Sequence, residues 1–144
     1  VPSFVFALTA VVGGVIEGAG FGSAFALAAF LPEQLFHPAS AGGTGSPGLT
    51  ATAVTIGLAV GIVTGGVMGI AAGLGLLLAW RLRPTPICAV VAGSSAVALV
   101  LGGILVAVPG DPKLYALVAI AWPHAVAGVA LIDGWRRAAR RSPS

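Results

Sequence analysis

The chain has 144 residues, 58% of them hydrophobic and 8% charged, with a mean hydropathy of +1.06 and a formal net charge of +3. Soluble domains carry roughly 25% charged residues, so this composition excludes a water-soluble globular protein, and nothing in it makes the extended basic patch that nucleic acid requires. The single cysteine, Cys88, excludes an internal disulfide and a cysteine-pair metal clip.

Four apolar runs, at about residues 4–31, 51–80, 87–108 and 114–132, approach or exceed the ~20 residues that a helix needs to cross a bilayer. They predict an all-α, integral membrane four-helix bundle forming a single transmembrane domain over 1–144. The first run lacks a basic start, is too long for a signal peptide and carries Glu17 in its middle, so it reads as a span. The missing initial methionine is expected to reflect trimming or processing upstream. At 1.5 Å per residue the first two runs reach about 42 Å, against a hydrocarbon core of about 30 Å, which calls for tilt, bending or protrusion.

Helix 1 carries Gly14, Gly18 and Gly22 at a spacing of four, with Glu17 about 60° around the helix from Gly14 and so directed toward a neighbouring helix. The segment "PEQLFHPASAGGTGSPGL", 32–49, is proline- and glycine-rich and is expected to be an irregular external loop in which His37 is solvated. Helix 2 follows with Gly57, Gly61, Gly65, Gly69 and Gly73, again at every fourth position. Association of helices in lipid depends on close packing, and small residues at this spacing let two backbones approach. A step of four residues advances about 40° beyond a full turn, so the five glycines sweep about 160° and form a sloping groove. Helix 1 is its simplest occupant, with surface left for another copy of the chain or other membrane helices. Thr64 falls near the middle of helix 2.

The loop "RLRPTP" is short and basic, helix 3 carries Ser94 and Ser95, and "VPGDPK" is a proline-bounded turn leading to helix 4. Consecutive helices joined in this way are expected to run up-down-up-down. Pro123 removes a helix hydrogen bond, frees the carbonyl of Ala119 and predicts a kink beside His124. Asp133 lies four residues before Arg137 and is expected to form a surface ion pair of little weight. Arg136, Arg137, Arg140 and Arg141 fall in a basic tail, 134–144, placed to attract anionic lipid. With Arg81 and Arg83 they put both termini in the cytoplasm by the positive-inside rule, in a bacterial-type inner or plasma membrane, while Trp80, Trp135 and Tyr115 suit an interfacial belt.

An ionisable side chain inside a bilayer is costly and points by default to function. Glu17 and His124 fall within about one turn of each other in depth, and Thr64 and Ser95 complete a set of one polar group per helix that could serve as a proton or cation relay. The first functional reading is therefore a small proton- or cation-linked transporter or conduit using a buried Glu17. The alternative is a non-catalytic scaffold or subunit of a larger complex, packed through its glycines. No nucleophile motif or ligand cluster accompanies these residues, so no catalytic residue, metal or cofactor is assigned and an enzyme is the lesser expectation.

Four spans, glycine-rich helices and a single buried carboxylate make the chain broadly similar to rotary-ATPase proteolipids and small multidrug transporters. It departs from the first in carrying Glu17 on a glycine-rich helix and histidine in helix 4. It departs from the second in its length and in the aromatic-free "ICAVVAGSSAVALVLGGILVAV". No family is assigned on these grounds.

Overall fold

The computed structural model describes residues 2–36, 47–82, 85–107, 109–110 and 112–141. Its elements are α1 (Ser3–Phe36), α2 (Pro47–Leu82), α3 (Pro86–Ala107) and α4 (Pro112–Arg141), with no strand among the described residues. Three of the four begin on proline, whose fixed φ and missing N–H suit the first helical position. At α3 the start is complete: the Cys88 N–H donates to the Thr85 hydroxyl at 3.3 Å, an N-cap immediately before Pro86. Gly110, at φ 89°, lies between α3 and α4 in a backbone conformation that side chains rarely adopt.

Two boundaries differ from the sequence expectation. α1 continues through Pro32 to Phe36, carried by the helix-favouring Glu33, Gln34 and Leu35. The loop expected at 32–49 therefore contributes helix at both ends, and its centre, 37–46 with His37, lies outside the described residues. The second difference is larger. The expected tail 134–144 is helical to Arg141, because alanine and arginine are strong helix formers and its side chains reach partners far away in sequence. Arg140 and Arg141 also complement the negative end of the helix dipole.

All four helices are long and apolar enough to cross a membrane, over Ser3–Ala28, Gly48–Leu82, Pro86–Ala107 and Leu114–Arg141. Large apolar side chains stand on the surface, including Leu99, Val106 and Leu131, each at least 74% exposed. Such a surface belongs in lipid. Hydroxyls on these helices donate back to their own turn: Thr9 to the Val5 carbonyl, Thr55 to Ala51 and Ser94 to Val90. In a medium without water this satisfies the group locally.

The chain divides into two compact units, Val15–Gly65 and Val1–Gly14 with Gly66–Ser144. In the first, α1 meets α2 backbone to backbone. A Cβ on Gly18 would fall on the carbonyl oxygen of Gly61, and one on Gly22 would fall on that of Gly57; the reverse holds for both pairs. As the number rises on α1 it falls on α2, so these segments run in opposite directions. In the second unit Phe6, Ala72, Leu76, Ala89, Val97 and Val129 form the centre of a core drawn from all four helices. Glycine opens the way here too: a Cβ on Gly75 would lie 2.6 Å from the Ala92 carbonyl oxygen, and one on Gly93 would lie 2.7 Å from Val129 Cγ1. A Cβ on Gly69 would meet the carbonyl of Ala10, and one on Gly73 would lie 2.9 Å from that of Ala7.

Candidate functional site

The relay candidates sit as follows. Glu17 is exposed, whereas the sequence reading buried it. The reason is angular: the buried crest of α1 runs through Gly18 and Ala26, and Glu17 stands about 100° from Gly18 around the helix. Thr64 is half-buried and donates to the Val60 carbonyl at 2.8 Å. Of the serine pair, Ser94 is buried and donates to Val90 at 2.6 Å, while Ser95, the expected relay member, is exposed. His124 is exposed as well, with Nδ1 2.9 Å from the Ile120 carbonyl oxygen. A carbonyl only accepts, so Nδ1 carries the proton in that contact. α4 is helical across Pro123.

A polar cluster is assembled at the end of α4. On α4, Asp133, Arg136, Arg137 and Arg140 recur at i, i+3, i+4 and i+7, which puts them on one face. That face meets Trp80 near the end of α2 and Ser3 at the start of α1. The Trp80 indole N–H donates to Asp133 Oδ1 at 2.7 Å. Arg137 grips the same carboxylate with both arms of its fork, Nε to Oδ2 at 2.6 Å and Nη2 to Oδ1 at 3.3 Å. Asp133 is only 2% exposed. The surface ion pair expected from spacing alone is thus a desolvated one on its acidic side, and its extra acceptor capacity is used by an indole 53 residues away in sequence.

Arg136 is buried too, at 4% exposure, with its guanidinium carbon 4.2 Å from the centre of the Trp80 ring. Trp80 is therefore held at its edge by a carboxylate and on its face by a cation, an arrangement that gains strength as water is removed. Phe6 meets Trp135 edge to face, centroids 5.0 Å apart, and braces the outer side of α4 against α1. Finally, the Ser3 hydroxyl accepts from Arg136 Nε and Nη2 and from Arg140 Nη2, each at 3.4 Å.

Local spacing could not reveal this cluster, because its decisive partners are Trp80 and Ser3. The available signal was a lone acid within "LIDGWRR", at the end of an apolar helix and beside a run of arginines. Chemically the cluster is a lock with an excess of positive charge: three arginines share a helix face with one aspartate, which is bonded to Arg137, while Arg136 and Arg140 turn to Ser3. Among the described residues no group of three or more His, Cys, Asp and Glu side chains comes together. No protein-family model, curated protein or solved structure matches this chain.

Proposed function

We propose that the chain is a non-catalytic multi-pass membrane subunit, running up-down-up-down with both termini cytoplasmic, in which α1 and α2 pack as a glycine zipper and α1 presents Glu17 to a second copy of the chain. The exposure of Glu17 carries this reading. A carboxyl on the outside of an apolar helix is costly in hydrocarbon unless another group covers it. Gly13, Gly20 and Ala24 share its face at i−4, i+3 and i+7, with Phe21 as the one large neighbour at i+4, and a Cβ on Gly13 or Gly20 would meet no atom within 4 Å. A face of small residues around one hydrogen-bonding group is what close helix association in lipid uses, and the same face on two copies is self-complementary.

The test is the oligomeric state of the full chain in detergent and in bilayers. Parent protein is expected to self-associate, and Glu17→Gln or Gly20→Leu to weaken that association by roughly fivefold or more. A parent that stays monomeric in bilayers contradicts the reading.

A second reading is a proton- or cation-linked conduit through Glu17, with His124, Thr64 and Ser95. It draws on the exposure of Glu17 and His124. pH-dependent flux in liposomes that disappears with Glu17→Gln supports it; no flux, or flux unchanged by the substitution, removes it.

A further inference from the structure

We infer that Ser3, Arg136 and Arg140 form a binding site for a phosphate group at the end of α4. The inference rests on the chain lying in a membrane but not on any pairing through Glu17. Three N–H donors from two cations converge on the Ser3 hydroxyl, a neutral oxygen with two lone pairs. All three distances are 3.4 Å, well beyond the 2.7–2.9 Å of a charge-assisted bond. One hydroxyl cannot satisfy three donors at close range. Asp133 is engaged by Arg137 and Trp80, and among the described residues neither Arg136 nor Arg140 has a carboxylate in ion-pair contact.

Arg136, a residue at 4% exposure, is costly to hold there, because Arg137 and Arg140 add like charge and Asp133, already bonded to Arg137 and Trp80, offsets it only in part. Its Trp80 stack offsets part of that cost and fixes the plane of the fork. Arg140, one turn further on, is exposed. The two arginines thus offer one buried and one open approach to the same point. A phosphate, with several acceptor oxygens and a negative charge, matches this donor set, and planar forks favour it over a point-like anion.

Lipid headgroups and free phosphate share this chemistry. An open apolar groove of about 210 Å³ is lined by Phe4, which follows Ser3 in sequence, and by Ala7, Leu8, Ile70, Leu74 and Leu77. A groove of that lining, which includes the residue after Ser3, suits an acyl chain and favours the lipid.

The test is native mass spectrometry of the full chain in detergent, titrated separately with phosphatidic acid, with a neutral diacylglycerol and with inorganic phosphate. Parent protein is expected to retain phosphatidic acid over diacylglycerol. Arg140→Gln should weaken retention by roughly tenfold, since a hydrogen bond to a charged group is lost. Arg141→Gln, which removes the same charge from the neighbouring residue, should change it less than about twofold. A melting curve shows that each variant remains folded, and the exposed Arg140 is chosen in place of buried Arg136 for that reason. Displacement of the lipid by inorganic phosphate supports the same site with a free anion as ligand. Equal losses from Arg140→Gln and Arg141→Gln, or equal retention of diacylglycerol, overturn the inference.

Discussion

The glycine contact of Val15–Gly65 and the polar cluster at the end of α4 hold helices together by opposite means. At Gly18 and Gly61 nothing projects: backbones touch because there is no side chain to keep them apart. At Trp80, Asp133 and Arg136 large side chains project and are held by hydrogen bonds, charge and stacking. The first contact depends on shape and tolerates no added atom. The second depends on matched partners and tolerates no missing one.

Removing a partner should have the largest effect. Asp133→Ala leaves a buried indole N–H and the Arg137 fork without their acceptor and is expected to lower stability by about 3 kcal/mol, the lower end for breaking a buried pair because Arg137 keeps 27% of its side chain exposed. Denaturant titration in detergent micelles measures it. Asp133→Asn, which retains an acceptor for Trp80, should lose clearly less.

Adding atoms to the glycine contact comes next. Gly61→Val forces α2 away from the Gly18 carbonyl, an overpacking change worth about 1–3 kcal/mol. The same titration reads it, and full stability in this variant would show that the two backbones are not in contact. Trp80→Phe should follow at about 1 kcal/mol, since the ring face under Arg136 persists while the bond to Asp133 is lost. Gly102→Ala in α3 should be the smallest, within about 0.5 kcal/mol, because a Cβ there meets no atom within 4 Å. A large loss at Gly102 would mean that glycine is required throughout these helices and not only where they touch.

The four helices were legible in the sequence because apolar length alone predicts a span, and the runs at 51–80 and 87–108 lie within α2 and within one residue of α3. What spacing could not supply was which face turns inward. Glu17 stands beside Gly18 in sequence yet a quarter turn from the buried crest. Ser94 and Ser95 differ by one residue and by burial. The cluster at the end of α4 was hidden for a further reason. Arginines after an apolar run look like a topology signal, and the burial of Asp133 and Arg136 arises from Trp80, which no local pattern reports.

The Trp80–Asp133 contact is the keystone, because it turns the end of α4 from a solvated tail into a built site. A double-mutant cycle of Trp80→Phe and Asp133→Ala, each of which removes the bond between them, measured by denaturant titration of the full chain in micelles, isolates their coupling. Residues in one buried network couple by about 0.5–3 kcal/mol, and a value of about 1 kcal/mol or more is predicted here. Simple additivity of the two losses would contradict it.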